Sequence, residues 1–252
     1  MSSPPLALTA SGAGAPVWLV HGQITNAHQA WKRQEFLSER WRLVLVHRPG
    51  YGTGAEPDRS DWVAEGAMLA ESIEPGAHLV GHSYGAMVAA ATAAVAPVES
   101  LTLVEPPAYA LLEDDAEADS LLAEIEAIQN DATATPAEAM RRFLAAQDLP
   151  STIPDELTPE LDAGVRLVRG ERLPWDGDLP VEELARTPFP KQVISGGDAP
   201  VRERAAAAMA EAIGAEHTVI DGGGHNVQRL GEPFNEVLEN FLLRADATKA
   251  TP

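Results

Sequence analysis

The chain has 252 residues, of which 45% are hydrophobic and 22% charged, so it can bury enough apolar surface to fold as one large domain or as a core with an inserted subdomain. Lysine and arginine total 18 against 38 acidic residues, and the formal net charge of -20 disfavours nucleic acid and anionic membrane surfaces as partners. The absence of cysteine excludes disulfides, a thiolate nucleophile and cysteine-ligated metals.

Neither the amino-terminal segment nor any apolar run has the pattern of a targeting or membrane element. Residues 1–16 contain no basic residue and no long apolar stretch, unlike a secretory signal peptide. The longest apolar run, residues 86–96, is interrupted by Thr92 and is too short to cross a bilayer. We therefore expect a soluble, cytoplasmic protein.

Short apolar runs typical of buried strands alternate with helical patterns along the chain. The strand-like runs are 17–20, 43–46, 78–80, 101–104, 192–194 and 217–220. Segments with helical spacing of apolar residues lie between or after them, at 61–73, 86–95, 202–213 and 233–243. Strands alternating with helices predict an α/β protein with a doubly wound, mostly parallel sheet and right-handed crossovers.

One connection is much longer than the others. About ninety residues separate the fourth strand-like run from the fifth, far more than an ordinary crossover needs. Residues 113–143 have a helical pattern, and prolines at 150, 154, 159, 174 and 180 divide the rest of the connection into short pieces. We predict an inserted helical lid at 106–185 over a core formed by 1–105 and 186–252, and we interpret its acidic residues as a solvated helix face.

The residues that carry chemistry begin with Gly81-His82-Ser83-Tyr84-Gly85, which lies between a predicted strand and a predicted helix and fits the pattern Gly-x-Ser-x-Gly. A strand-to-helix turn this sharp tolerates only small neighbours, so Gly81 and Gly85 would leave Ser83 exposed at the carboxyl edge of the sheet. The adjoining helix N-terminus favours developing negative charge. Ser83 is therefore the candidate nucleophile.

A serine hydroxyl is a weak nucleophile at neutral pH and needs a base, usually a histidine oriented by a carboxylate. His225 follows the last predicted strand within a glycine run, 221–226, that can return its imidazole to the strand ends. His21 and His82 lie inside other motifs, and the remaining histidines have no comparable setting; they are His28, His47, His78 and His217. His225 is therefore the candidate base.

These motifs resemble the α/β-hydrolase fold. His21-Gly22, the serine turn, a lid insertion and a late histidine occur in the order that this family uses, over residues 17–243. The resemblance implies an oxyanion hole made by the backbone amides of Gln23 and Tyr84. It also implies that the glycine-rich segment 47–52 is structural. Because the nucleophile position holds serine and not aspartate, the alkyl-enzyme chemistry of dehalogenases and epoxide hydrolases is excluded.

The acid that would orient His225 has two candidates. Most family members carry it after the penultimate strand in a Gly-x-x-Asp turn, whereas Ser195-Gly196-Gly197-Asp198 places Asp198 one residue early if Gly196 is the family glycine. Glu105 directly follows the strand at 101–104, where some relatives, including haloalkane dehalogenases and zearalenone lactonases, keep their acid. Either carboxylate could fix the histidine tautomer. We favour Glu105 and keep Asp198 open.

A substrate pocket is expected between the strand ends and the lid. Its candidate apolar walls are Trp31, Tyr84, Met87, Tyr109, Phe143 and Trp175. The sequence thus predicts a serine hydrolase that cleaves an apolar ester or lactone through an acyl-enzyme, with no cofactor or metal. Two alternatives stay open: a carbon–carbon bond hydrolase or cofactor-independent lyase or oxygenase on the same fold, and a ligand-binding protein that keeps the triad.

Overall fold

The computed structural model describes residues 6–51, 59–149 and 153–249. Residues 1–5, 52–58, 150–152 and 250–252 fall within the predicted bounds of core and lid but lie outside the described part, and they include Gly52 and Pro150. The centre of the molecule is a seven-stranded sheet in the order β1-β3-β2-β4-β5-β6-β7. The strands are β1 (Ala7–Ser11), β2 (Pro16–Val20), β3 (Arg42–His47), β4 (His78–His82), β5 (Ser100–Val104), β6 (Lys191–Ser195) and β7 (Glu216–Val219).

All neighbouring strands pair in parallel except β1, which runs antiparallel to β3. The predicted α/β, mostly parallel sheet is therefore confirmed. The sequence pattern missed β1, because four of its five residues are exposed and present no apolar run. It also described β7 as buried, which is wrong: β7 is an edge strand with exposed residues at three of four positions. Edge strands lack the continuous apolar signature of central parallel strands.

Nine α-helices occur in the described part of the chain: α1 (Ala27–Ala30), α2 (Trp62–Ser72), α3 (Tyr84–Ala93), α4 (Ala116–Asn130), α5 (Pro136–Ala146), α6 (Pro159–Gly170), α7 (Val181–Arg186), α8 (Pro200–Ile213) and α9 (Glu232–Lys249). Three 3-10 helices lie at Lys32–Glu39, Tyr109–Leu111 and Val227–Leu230. The four helical segments predicted outside the insertion correspond to α2, α3, α8 and α9. The pattern predicted at 113–143 is divided into α4 and α5, because Thr135 and Pro136 begin a new helix with a capping box.

Apolar side chains on both faces of the sheet form the core. Along β2, Val17 and Leu19 pack toward α9, while Trp18 and Val20 pack toward α2, α3 and α8. This alternation follows from the two-residue period of a strand, and burial on both faces is what a parallel sheet requires. The sheet is thereby held between two helical layers, and its carboxyl edge is free to carry polar side chains.

The connection between β5 and β6 contains α4 to α7 and has an apolar cluster of its own. That cluster is built mainly from α4, α5 and α6 and includes Tyr109, Leu121, Ile125, Met140, Phe143 and Val165, with Val201 and Ala205 of α8 at its base. By contrast, Leu184 of α7 packs in the core cluster beside the sheet. The described helices include none that is long and apolar enough to cross a membrane.

Candidate active site

The turn after β4 forces Ser83 into an unusual backbone conformation. Ser83 has φ 54 and ψ -124, in a region that residues with a side chain rarely occupy. A Cβ atom on Gly81 would lie 2.3 Å from the carbonyl oxygen of Gly85, and one on Gly85 would lie 2.4 Å from the carbonyl oxygen of His21. Only glycine fits at these two positions. Ser83 lies at the carboxyl edge of the sheet, as expected. Our expectation that it would be exposed is wrong, because only 7% of the residue is accessible.

Three side chains from separate parts of the chain form a continuous hydrogen-bonded series. The Ser83 hydroxyl donates to Nε2 of His225 at 2.9 Å, and Nδ1 of His225 donates to Oε2 of Glu105 at 3.1 Å. A neutral imidazole that donates through Nδ1 has its free lone pair on Nε2, where it can accept a proton from serine. The three side chains therefore have the contacts that activation of a serine hydroxyl requires.

Glu105 is held at the end of β5 by the neighbouring strand and by a glycine turn. Its backbone φ is 49, and its N–H donates to the carbonyl of Ile194 at 2.8 Å. The N–H of Gly196 donates to Oε1 of Glu105 at 2.6 Å, which leaves Oε2 for His225. Only 3% of Glu105 is exposed. The carboxylate is therefore fixed in one orientation with both oxygens occupied.

Asp198 is paired differently. Its Oδ2 accepts from Arg202 at 2.8 Å, and Nε of the same buried guanidinium lies 3.5 Å from Oε2 of Glu105. Among the described contacts, Asp198 therefore meets the candidate site through Arg202, whereas Glu105 contacts His225 directly. This geometry favours Glu105 over Asp198 as the partner of the imidazole.

Two further buried histidines stand beside the site. Nε2 of His82 donates to the backbone carbonyl of His225 at 2.8 Å. Burial, reinforced by the neighbouring His225, lowers the pKa of His82 to about 3. Nδ1 of His21 donates to the carbonyl of Gly22 at 2.8 Å, and burial followed by the charge of Arg48 lowers the pKa of His21 well below its usual value. Both rings are neutral near pH 7 and hold backbone in position.

The two residues expected to supply oxyanion-hole amides flank Ser83. Tyr84 is the first residue of α3, and its side chain points away into the core, where its hydroxyl donates to the carbonyl of Arg172 at 2.9 Å. Gln23 follows Gly22, and a Cβ atom on Gly22 would lie 3.0 Å from Cβ of Ser83. The loop that carries Gln23 is thus packed directly against the candidate nucleophile.

The sequence model of the alpha/beta hydrolase family matches residues 12–238 of this chain. The chain belongs to this family. Over 109 residues it is 38% identical to the pimeloyl-acyl-carrier-protein methyl ester esterase of Methylococcus capsulatus, and the match covers 39% of this chain and 40% of that enzyme. The alignment therefore spans less than half of that relative's length.

Solved structures share the fold along nearly the whole chain. A thermophilic esterase from Thermogutta terrifontis has a TM-score of 0.68 at 21% identity, covering 95% of this chain and 93% of that one. An N-acyl homoserine lactone degrading enzyme has a TM-score of 0.63 at 19% identity, covering 94% and 96% respectively. At these identities the similarity shows the fold alone.

The candidate pocket residues of this α/β hydrolase fall into two groups. Trp31, Tyr84 and Met87 are fully buried in the two core clusters that flank the sheet. Trp31 meets the His82 ring edge-on with centroids 6.4 Å apart. Tyr109, Phe143 and Trp175 belong to the apolar cluster of the inserted segment, where the rings of Tyr109 and Trp175 stand 6.3 Å apart. The second group thus lies on the insertion that was expected to cover the strand ends.

A separate cleft of about 390 Å³ opens on the inserted segment. Most of its lining is polar or charged and includes Arg59, Glu126, Arg169 and Asp176. Ser83, Glu105 and His225 are not among its lining residues. The cleft is therefore distinct from the expected apolar pocket.

Sequence reasoning missed a buried charged network next to the site of this α/β hydrolase. Arg48 lies between two carboxylates, with Nε 2.7 Å from Glu65 and Nη2 2.8 Å from Glu171. Its Nη1 donates to the carbonyl of Gly22 at 2.9 Å, and the Gln23 side chain donates to Glu171 at 2.6 Å. The only signal in the sequence was the position of Arg48 in the glycine-rich segment 47–52, which was interpreted as structural.

Proposed function

We propose that this α/β hydrolase cleaves a carboxylic ester or lactone, with Ser83 as nucleophile, His225 as general base and Glu105 as the acid that orients His225. The observation that carries the proposal is the series of contacts from Ser83 Oγ to His225 Nε2 at 2.9 Å and from His225 Nδ1 to Glu105 at 3.1 Å. The three side chains come from the ends of β4 and β5 and from the loop after β7. Serine, base and acid in this contact order are the requirement for activating a hydroxyl at neutral pH.

The reaction proceeds in two halves. In the first, Ser83 Oγ attacks the carbonyl carbon while its proton passes to Nε2 of His225, and the backbone amides of Gln23 and Tyr84 bind the oxyanion. The tetrahedral intermediate collapses as His225 gives the proton to the departing alkoxide, leaving an acyl-enzyme. In the second half, water attacks the ester of Ser83 with the same proton transfers, and the acid is released. No metal or organic cofactor takes part in this scheme.

The inserted segment, residues 106–185, is proposed to act as a lid that supplies the wall for the acyl or alcohol group. Tyr109, Phe143 and Trp175 support this role, because all three belong to the apolar cluster of the insertion. Trp31 and Met87 are assigned to the core instead, since both are fully buried in the clusters beside the sheet. The substrate class is an apolar ester or lactone, in line with the esterase and lactone-degrading relatives.

The test compares the wild type with Ser83→Ala on p-nitrophenyl acetate, p-nitrophenyl butyrate and an unsubstituted δ-lactone. We expect turnover by the wild type and a loss of about a thousandfold or more in kcat for the variant, because no other group can form the acyl-enzyme. A fluorophosphonate should label the wild type with 1:1 stoichiometry and leave the variant unlabelled. Equal rates in both proteins would refute the assignment of Ser83.

Further substrates separate the alternative reactions. A wild type that is inert to esters, lactones and the phosphonate but cleaves a β-diketone would replace the proposal with carbon–carbon bond hydrolysis. A wild type that turns over nothing yet is stabilised by a small apolar ester would replace it with a binding protein.

A further inference from the structure

Helix α6 of the inserted segment touches the loop that carries Gln23 at three points. A Cβ atom on Gly164 would lie 2.7 Å from the carbonyl oxygen of Ile24, so helix and loop backbones are in direct contact. The Ile24 side chain packs against the apolar cluster that includes Val165. At the end of the helix, Glu171 accepts a hydrogen bond from the Gln23 side chain at 2.6 Å. The loop that carries Gln23 is therefore packed against α6.

The conformation of this loop is one that the local sequence does not favour. Ile24 has φ 72, which is rare for a residue branched at Cβ. Strained backbone of this kind persists only where surrounding contacts impose it, because without them the population of the conformation falls about 10-fold to 100-fold. The contacts with α6 are the surroundings that impose it on Ile24.

Glu171 connects the loop to the buried ion-pair network around Arg48. None of its side chain is exposed, and Arg48 Nη2 donates to Oε1 at 2.8 Å while the Tyr51 hydroxyl donates to the same oxygen at 3.1 Å. Arg48 also donates to the carbonyl of Gly22 at 2.9 Å. The two consecutive loop residues Gly22 and Gln23 are thus held by one ion pair, half of which belongs to the insertion.

We propose that Glu171 is a positioning residue, and that the packing of α6 against Ile24 and Gln23 fixes the direction of the Gln23 backbone N–H in the oxyanion hole. This inference rests on the proposed function. It adds that the insertion helps to stabilise the transition state, by positioning an oxyanion-hole amide, as well as covering the substrate. An amide that binds an oxyanion contributes only when the oxyanion forms, and small displacements of such donors cost large factors in rate. A misplaced Gln23 amide therefore lowers kcat and leaves KM nearly unchanged.

The first experiment uses two glycines of the same helix. In Gly164→Ala the new Cβ would lie 2.7 Å from Ile24 backbone, so loop or helix must move, whereas Gly170→Ala adds a methyl group with nothing within 4 Å. We expect kcat for p-nitrophenyl acetate to fall about 10-fold to 100-fold in Gly164→Ala, with KM within twofold, and both constants to hold in Gly170→Ala.

The second experiment weakens the polar contact without adding volume. In Glu171→Gln the amide keeps the shape but carries no charge, so the hydrogen bonds from Arg48 and Gln23 lose their charge assistance and hold the loop more weakly. The matched control is Arg172→Met, at the next residue. It removes the ion pair of Arg172 with Asp61 at 3.1 Å, and no described contact joins the Arg172 side chain to the Gln23 loop. We expect kcat to fall at least 10-fold only in Glu171→Gln, even if both variants lose thermal stability.

A readout that does not need turnover separates this inference from the proposed function. The ¹H–¹⁵N resonance of the Gln23 backbone amide should shift in Gly164→Ala and Glu171→Gln and stay in place in Gly170→Ala and Arg172→Met. If the wild type hydrolyses no ester, a shift still supports positioning by α6 while the hydrolase proposal fails. An unmoved Gln23 amide, or a kcat within twofold of the wild type in both folded test variants, would overturn the inference.

Discussion

At the scale of single residues, two adjacent central strands each end in a side-chain-bearing residue with positive φ. Ser83 follows β4 with φ 54, and Glu105 follows β5 with φ 49. The sheet ladder continues through both, because Ser83 N–H donates to the Val104 carbonyl and Glu105 N–H to the Ile194 carbonyl, each at 2.8 Å. Such conformations cost about 1–3 kcal/mol each and occur where function requires a fixed side-chain direction. The ladder offsets this cost and keeps nucleophile and acid in register.

Because Glu105 contacts His225 and Asp198 contacts Arg202, the two carboxylates should respond differently to amide substitution. Glu105→Gln keeps the shape but presents an amide to Nδ1, which favours the wrong histidine tautomer, and we expect kcat to fall by about a thousandfold or more. Asp198→Asn should lower kcat by less than about 10-fold, since it acts only through Arg202. Steady-state kinetics on a p-nitrophenyl ester measures both. A larger loss in Asp198→Asn than in Glu105→Gln would transfer the orienting role to Asp198.

The candidate nucleophile and base could be predicted from sequence, whereas for the acid the sequence favoured Glu105 and kept Asp198 open. Ser83 and His225 lie in local patterns whose geometry follows from their glycines. The two carboxylates are distinguished by contacts across the sheet: the Gly196 N–H reaches Glu105, and Gly196 itself lies so close to Gly224 that an added Cβ would be 2.2 Å from its carbonyl oxygen. Contacts between segments that are far apart in the chain cannot be predicted from the local sequence pattern around either residue.

At the scale of elements, the sequence located strands β2 to β7 but missed the exposed edge strand β1 and wrongly described the edge strand β7 as buried. The central strands β2 to β6 have apolar residues that pack on both faces, and the sequence located each of them. Strand β1 was missed because exposed threonine, serine and alanine do not distinguish a strand from a loop. The contacts of α6 with the Gln23 loop were missed for a different reason, since they join residues about 140 positions apart and follow from no local pattern.

The backbone of the turn between β4 and α3 is tightly constrained. In Gly85→Ala the new Cβ would meet the carbonyl oxygens of Val20 and His21 at 2.5 and 2.4 Å, and backbone atoms cannot rotate away as side chains can. We expect the free energy of unfolding to fall by about 3 kcal/mol or more, with loss of activity in whatever folds. Urea denaturation measures the change. A stability equal to that of Gly170→Ala would show that the turn can relax.

At the scale of the whole molecule, the chain combines a strongly acidic surface with neutral histidines and a paired arginine in its interior. The formal net charge is -20, and the groups buried beside the site include His21, His82 and Arg48. Arg48 is matched by the carboxylates of Glu65 and Glu171, whereas the two histidines are buried without a carboxylate partner among the described contacts and have pKa values below the usual one. A buried base that must stay neutral makes the folded state sensitive to acid.

The pKa of His82 fixes the pH range of this sensitivity. In the unfolded chain His82 takes up a proton below its usual pKa of 6.5, but in the folded protein it does so only near pH 3. Between these values the unfolded state binds more protons, so the free energy of unfolding falls as pH decreases, by up to about 1.4 kcal/mol per pH unit from this residue. Above pH 6.5 neither state is protonated at His82 and the contribution vanishes.

His82→Gln should therefore flatten the dependence of stability on pH. Glutamine can still donate to the His225 carbonyl but takes up no proton, so we expect the slope between pH 6 and pH 4 to decrease by about 1 kcal/mol per pH unit. Urea unfolding at several pH values measures the slope in His82→Gln and in the wild type. An identical slope in His82→Gln and the wild type would mean that His82 does not titrate differently in the two states. Because His21 is also buried with a lowered pKa, part of the acid sensitivity should persist in His82→Gln and decrease further when His21 is replaced as well.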